Sequence, residues 1–356
     1  MSRSRLRDLG IAIGQLPPGK FNAITDVPGI LVGHRTLIFD TPRIARTGVT
    51  VILPRDGEIW RNSAFAGFHS FNGNGEMTGL LWVKESGLLT SAIGLTNTHS
   101  VGPVHAGLVA HWAEQGIDDF LLPVVAETCD SWLNDINAFH ITADHVQEAI
   151  AAARSGAVPE GNVGSGTGMI CHEFKGGIGT ASRIAETRNG TFTVGALVQA
   201  NYGERSLLRV DGVPVGEAIS ADQVPLPWGN QDSPFGGSII VILATDAPLL
   251  PVQCQRMAQR ATVGLARVGG IGHDSSGDIF LAIATGNDLP LNSPHAYSLT
   301  MLPHRQMDRL FKAAIEATEE AILNALTAAE TMTGFRGHTV HALPLDLLQQ
   351  RMASRA

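Results

Sequence analysis

The sequence has few charged residues: Asp, Glu, Lys and Arg make up 16% of its 356 residues, whereas hydrophobic residues make up 44%. The net charge at pH 7 is -8, and no cluster of basic residues with interleaved aromatics occurs. Nucleic acid and anionic membranes are therefore poor partners. The composition favours a large core, and the low charge favours a surface partly covered by other subunits.

Cysteine is also scarce, since Cys129, Cys171 and Cys254 are widely spaced and form no Cys-x-x-Cys pair. We expect reduced thiols, with neither a disulfide framework nor a zinc site. His338-x-x-His341 has no carboxylate or cysteine nearby to complete a metal set. No metal and no cofactor are expected.

Long apolar runs are missing. No run approaches 18 residues, so no membrane-spanning helix is expected. The run from Leu9 to Ile13, which follows three arginines, is too short for the core of a secretory signal. These observations predict a cytoplasmic protein.

Glycine, by contrast, is abundant, with 40 residues. A loop over 229–237 ends in Gly236 and Gly237, and Ser238 then opens an apolar run in which four of six residues are β-branched. This pattern predicts a buried strand with Ser238 at its first position. The glycine before the serine allows another group to approach closely.

The Gly237–Ser238 peptide bond is a candidate for self-cleavage. The Ser238 hydroxyl would attack the Gly237 carbonyl, and water would then release a new N-terminal serine. Its free α-amine, with a reference pKa of about 7.7–8.0, would suit a general base. The alternative is a strand that begins with serine after an ordinary glycine turn.

Ser276 and Asp278 lie at the start of a second predicted buried strand over 279–284. Residues two apart on a strand point to the same face. If this strand neighbours the one at Ser238, Asp278 would orient Ser276, and Ser276 would hold Ser238 or its amine. Ordinary turn hydrogen bonds are the alternative.

Two further polar residues follow apolar runs. Asn201 comes after a strand-like run over 193–198, where its side-chain N–H could stabilise an oxyanion or serve a turn. Glu127 could bind a substrate ammonium or cap a following helix, for which Asp130 is the better candidate.

The glycine-rich loop from Asn162 to Gly168 resembles a phosphate-binding loop. Met169 stands where G-x-G-x-x-G requires glycine, so a sharp structural turn is favoured over a nucleotide site. Predicted helices and strands together fit a layered α/β sandwich. The helices are expected over 102–116, 142–154, 249–268 and 305–332, and early strands over 30–34, 48–53 and 92–95.

Taken together, these segments resemble the family of the L-aminopeptidase D-amidase/D-esterase and the β-peptidyl aminopeptidases. Those proteins are self-processing hydrolases with an N-terminal-nucleophile-like fold. The resemblance spans nearly the whole chain and rests on the joint order of segments 25–30, 73–76, 96–98, 123–128, 161–168, 174–183, 198–203, 237–248 and 276–278. It implies the α/β (α+β) class, as a four-layer αββα sandwich with variant strand connectivity in a single domain over 1–356.

The resemblance also implies a cut into chains 1–237 and 238–356 that stay associated. It makes Ser238 the nucleophile, Ser276 and Asp278 its supporting residues, and Asn201 the oxyanion donor. Glu127 corresponds to an acidic residue near the substrate's free amine. At Cys129 the family more often has an aromatic residue such as tyrosine, so this smaller thiol leaves room in the pocket.

The implied function is an aminopeptidase, amidase or esterase that forms an acyl-enzyme on Ser238 of a homotetramer of processed pairs. Its substrates would be small peptides, amides or esters with a free α- or β-amine. One alternative is an acyltransferase that forms the same covalent acyl-enzyme and passes the acyl group to an amine, although that activity usually uses a threonine nucleophile. The other is an uncut ligand-binding protein of the same fold.

Overall fold

The computed structural model of the chain describes residues 3–117, 120–229 and 237–354. Within these ranges the strands β1 to β14 are Leu31–Phe39, Ala45–Leu53, Ala64–Gly73, Leu88–Leu89, Ile93–Asn97, Val124–Thr128, Ile170–Cys171, Phe174–Lys175, Gly177–Thr187, Gly190–Asn201, Ser238–Thr245, Gly277–Ala284, Met332–Thr333 and Thr339–Val340. The α-helices α1 to α6 are Leu80–Ser86, Val101–Glu114, Ala143–Ala151, Pro251–Val268, Met307–Ala328 and Leu345–Ala353.

Two sheets stack face to face. The first has the order β1-β2-β5-β6, and the second has the order β4-β3-β12-β11-β10-β9. Helices α2 and α3 pack on the first sheet, and α4 and α5 pack on the second. The predicted four-layer αββα sandwich is therefore confirmed.

Strand β11 lies in the middle of the second sheet, and its apolar run is buried on both faces. Ile240 and Ile242 pack between the sheets, whereas Ile239, Val241 and Leu243 pack against the helical layer. Burial on both faces explains why the run shows no alternation of apolar and polar residues. Across the sheet, β11 pairs in parallel with β12 and antiparallel with β10.

Two predicted helices are longer than the observed ones. Helix α3 ends at Ala151 because the backbone of Arg154 instead exchanges two hydrogen bonds with Val32, each 3.1 Å long. Helix α5 ends at Ala328, where the chain becomes extended and packs against Gly161. In both cases a tertiary contact stops the helix before its helix-favouring residues end. No helix in the described ranges is long and apolar enough to cross a bilayer.

A buried ion-pair cluster joins the two parts of the chain that flank the predicted cut. Arg183 on β9 is fully buried and pairs with Glu316 and Glu320 of α5. Arg7, near the N-terminus, also pairs with Glu320 at 2.7 Å. Burial raises the pKa of Glu320, but its bonds to the two arginines outweigh this and hold the pKa below its usual value. Removal of either partner would leave a buried charge uncompensated.

Candidate active site

Ser238 is the first residue of β11, as predicted from the sequence. Its Oγ donates to the carbonyl oxygen of Gly237 at 2.6 Å and accepts the backbone N–H of Gly277 at 3.1 Å. The nucleophile candidate is thus held against the peptide unit that is expected to be cut. Residues 230–236 of the predicted loop, including Gly236, lie outside the described residues.

Gly237 is required by its surroundings. Its φ is +77°, a region that other residues rarely adopt. A Cβ added there would lie 2.7 Å from Tyr202 Cα and 2.8 Å from the Asn201 carbonyl oxygen. The glycine therefore lets β10 approach the residue that precedes Ser238.

Ser276 and Asp278 flank the residue that pairs with Ser238, because Gly277 is the partner of Ser238 in the parallel β11–β12 ladder. Ser276 Oγ donates to Asp278 Oδ1 at 2.6 Å. Burial raises the pKa of Asp278, and hydrogen bonds from Ser276 and from the Ile239 backbone oppose this rise. In the described part of the uncut chain Asp278 accepts from the backbone of Ile239 on β11, while the Ser238 hydroxyl bonds to the backbone N–H of Gly277 and not to Ser276.

Asn201 is the antiparallel partner of Ser238, so the two side chains share one face of the sheet. Asn201 Oδ1 accepts the N–H of Ile170 at 2.8 Å, and Nδ2 donates to the carbonyl of Cys129 at 3.0 Å. These two bonds fix the orientation of the amide. The second N–H of Nδ2 has no acceptor among the described residues.

Glu127 is the penultimate residue of the edge strand β6 and is only 4% exposed. Its Oε1 accepts the backbone N–H of Glu76 at 2.9 Å, and its Oε2 accepts the hydroxyl of Thr98. Burial raises the pKa of Glu127, whereas these two donors lower it. The helix-cap alternative is wrong for Glu127, because both of its oxygens bind groups outside the segment that follows it.

Gly75 packs between Glu127 and the first residue of β12. A Cβ at Gly75 would lie 3.3 Å from Glu127 Oε1 and 3.1 Å from Gly277 Cα. Since Gly277 pairs with Ser238, Gly75 packs between this carboxylate and the strand partner of the nucleophile candidate. Thr98 and Gly75 occur in segments that carry the family resemblance, but their contacts join distant parts of the chain and were not predicted from the sequence.

Cys129 is half-buried, and its thiol donates to Ser131 Oγ at 3.1 Å. Burial raises the pKa of this thiol, and hydrogen bonds involving Ser131 and Thr98 oppose the rise. Thr98 therefore forms hydrogen bonds with both the Cys129 thiol and the Glu127 carboxylate. The backbone of the same residue contributes separately, because its carbonyl holds the Asn201 amide.

Three other candidates from the sequence, Asp130, the glycine-rich loop and His338, make contacts that serve the fold. Asp130 caps no helix, since residues 131–134 form a turn and Asp130 Oδ1 accepts from Asn134 at 3.0 Å. Gly166, in the glycine-rich loop, packs so closely on β9 that a Cβ would lie 2.3 Å from the Ile178 nitrogen. His338 stacks on Trp132 with ring centroids 3.8 Å apart.

The site thus combines a hydroxyl, an amide donor and a buried carboxylate at one end of β10, β11 and β12. This set suits acyl transfer to a serine: the hydroxyl attacks, the amide stabilises an oxyanion, and the carboxylate holds a cationic group.

Comparisons with known proteins agree with this chemistry. The model of peptidase family S58 matches residues 22–340. Beta-peptidyl aminopeptidase BapA of Sphingosinicella microcystinivorans is 45% identical over 356 residues, covering 96% of this chain and 89% of that protein. BapA of Sphingosinicella xenopeptidilytica is 41% identical over 370 residues, covering 99% and 91%.

Solved structures are similar as well. A Burkholderia sp. beta-aminopeptidase has a TM-score of 0.92 and 54% sequence identity, with 99% of each chain covered. The L-aminopeptidase D-Ala-esterase/amidase of Ochrobactrum anthropi has a TM-score of 0.91 and 42% identity, with 99% of this chain and 98% of that chain covered. The latter structure is described as a variant of the Ntn hydrolase fold.

Proposed function

The chain belongs to peptidase family S58, and from that premise we propose that Ser238 is the nucleophile of an aminopeptidase that cuts its own Gly237–Ser238 bond. Hydrolase and aminopeptidase activity, expected from the sequence, follow from the family and the named relatives. The observation that supports Ser238 most directly is its 2.6 Å hydrogen bond to the Gly237 carbonyl oxygen.

Self-cleavage proceeds by an acyl shift from nitrogen to oxygen. Ser238 Oγ bonds to the Gly237 carbonyl carbon, the Gly237–Ser238 C–N bond breaks, and the hydroxyl proton moves to the Ser238 nitrogen. Water then hydrolyses the ester, releasing the Gly237 carboxylate and the free Ser238 hydroxyl. The β10–β11 ladder and the ion pairs of Arg183 with α5 support continued association of chains 1–237 and 238–356.

Catalysis then uses the same oxygen. Glu127 holds the substrate ammonium, and Ser238 Oγ attacks the acyl carbon while the new α-amine takes the hydroxyl proton. Asn201 donates its second N–H to the oxyanion, a contribution of about 3 kcal/mol. The proton passes to the leaving group, and water resolves the ester. Asp278 orients Ser276 through their 2.6 Å hydrogen bond, and Ser276 holds the new α-amine.

Peptides with a free amino terminus are the substrates, and we extend the proposal to N-terminal β-amino acid residues. Three relatives that are 41–54% identical to the chain are named for β-aminopeptidase activity, which supports this choice. Assays with matched β-alanyl and L-alanyl p-nitroanilides test it. Turnover of the L-alanyl substrate alone would reject the β preference.

The named relatives also favour hydrolysis over acyl transfer, which product analysis with an added amine acceptor tests.

The intact mass under denaturing conditions tests self-cleavage. We expect two fragments that meet at Gly237–Ser238 in the wild type and a single 37.6 kDa chain in Ser238→Ala. Fragments in the Ser238→Ala protein, or an uncut but active wild type, would contradict the proposal.

Assembly and location belong to the same proposal. The exposed side chains of Leu81 and Phe120, at 85% and 84%, support burial in a homotetramer, which analytical ultracentrifugation tests. The unpaired cysteines support the cytoplasm. Localisation of a tagged chain by cell fractionation checks this.

A further inference from the structure

Lys175 on β8 is fully buried, whereas the other lysines of the chain, Lys20, Lys84 and Lys312, are exposed or half-buried. No salt bridge to Lys175 occurs in the described part of the chain. A buried charge is costly unless hydrogen bonds compensate it. An apolar side chain would fill this buried space equally well, so packing does not explain why an ammonium is present.

Three backbone carbonyls surround this ammonium. Lys175 Nζ donates to Met169 and Gly176 at 2.8 Å each, and to Gly166 at 3.3 Å. Burial lowers the pKa of Lys175 to about 7. The three acceptors favour the ammonium, because a neutral amine has only two N–H groups and cannot satisfy all of them.

One peptide unit joins this ammonium to the candidate oxyanion donor. The carbonyl of the Met169–Ile170 peptide accepts from Lys175, and the N–H of the same peptide donates to Asn201 Oδ1 at 2.8 Å. A hydrogen bond to the carbonyl end polarises the peptide and strengthens the bond made by its N–H end. The charge of Lys175 is therefore directed at the Asn201 amide, two hydrogen bonds away.

The β7–β8 hairpin, which begins at this peptide, packs at Gly176 against the strand that carries Asn201. A Cβ at Gly176 would lie 2.5 Å from the Ala200 carbonyl oxygen and 2.7 Å from Cys171 Cβ. The Gly176 N–H also donates to the Met169 carbonyl, at 2.9 Å. Small movements of this peptide would thus reach Asn201 directly.

We propose that Lys175 is a positioning residue, whose buried ammonium aligns and polarises the Met169–Ile170 peptide so that the Asn201 amide presents its second N–H to the oxyanion. This inference rests on the oxyanion role proposed for Asn201. It gives a function to a lysine in segment 174–183, which carries the family resemblance without an assigned role.

A double-mutant cycle with Lys175→Met and Asn201→Ala tests the inference on processed enzyme. We expect Lys175→Met to lower kcat by about tenfold, with KM within about twofold, since it removes polarisation at the transition state. In the Asn201→Ala background the same change should alter kcat by less than about twofold, because its target is gone. Lys84→Met, at an exposed lysine, is the matched control and should behave like the wild type.

The outcomes separate the two proposals. An equal loss of kcat from Lys175→Met in both backgrounds, or no loss in either, rejects the role of Lys175. An unchanged kcat in Asn201→Ala alone rejects the oxyanion role on which the inference rests. If Lys175→Met is insoluble or stays uncut, Lys175→Gln, which keeps two N–H donors without the charge, enters the same cycle with the same criteria.

Discussion

Asn201 and Ser238 face each other across the antiparallel pair β10–β11. Ser238 supplies the nitrogen of the Gly237–Ser238 bond that is proposed to be cut. Because the partners of such a pair share a face, the amide and the hydroxyl are placed by the sheet itself. The Asn201 amide is further held by Ile170 and by the Cys129 carbonyl. A donor that is rigid before the reaction needs no reorganisation when charge develops.

Replacement of Asn201 by Ala should lower kcat by about 100-fold with little change in KM, because an oxyanion donor acts mainly in the transition state. Steady-state kinetics on the processed variant measure both constants. The thermal midpoint, recorded in parallel, reports any structural cost to Ile170 and Cys129, which lose a partner. An unchanged kcat would remove Asn201 from the oxyanion role.

Glu127→Gln should separate turnover from self-cleavage. Substrates with a free amine should lose about 10- to 100-fold in kcat/KM, since a charged hydrogen bond to the ammonium is lost. Self-cleavage should proceed normally, because the Gly237–Ser238 bond presents no free amine to Glu127. Mass spectrometry follows the cut and a p-nitroanilide assay follows turnover. Equal loss of both would mean that Glu127 acts on the fold of the site.

Gly75→Ala should impair the site through packing alone. The new methyl group would lie 3.1 Å from Gly277 Cα and 3.3 Å from Glu127 Oε1, so one of these groups must shift. We expect kcat/KM to fall by about tenfold, because small misplacements at a site are costly. Gly102→Ala is the control, since a Cβ there meets nothing within 4 Å and φ is ordinary. Similar kinetics for both variants would show that the contact at Gly75 is unimportant.

His34 should make folding stability sensitive to acid. Burial, with a smaller contribution from the charge of Arg154, lowers its pKa from 6.5 to about 4. The unfolded chain therefore binds the proton first, and stability present above pH 6.5 is lost as the pH falls toward 4. At pH 5 the loss from this group is about 2 kcal/mol.

Urea unfolding of the uncut Ser238→Ala chain at pH 7 and pH 5, with and without His34→Gln, measures this loss. The glutamine variant should lose about 2 kcal/mol less between the two pH values, because it removes the titrating ring. The same pH dependence in both proteins would show that His34 is not the responsible group.

Local patterns in the sequence determined several parts of the site. The unbroken apolar run after Ser238 predicted a strand buried on both faces, and the structure has this strand beginning at Ser238 as predicted. The spacing of Ser276 and Asp278 predicted their mutual contact, which is a hydrogen bond of 2.6 Å. The period of a strand, its burial and the turns around it depend on residues within a few positions of one another. They can therefore be predicted from a single sequence.

Tertiary structure alone decided which distant segments meet. Three contacts link positions far apart in the chain. The strand register sets Asn201 opposite Ser238, Gly75 packs against Glu127, and the Met169–Ile170 peptide joins Lys175 to Asn201. Such contacts arise when both sheets and their helices bury their apolar faces together. The same packing ended helices α3 and α5 earlier than their residues predicted, because the free energy of burial outweighs local helix propensity.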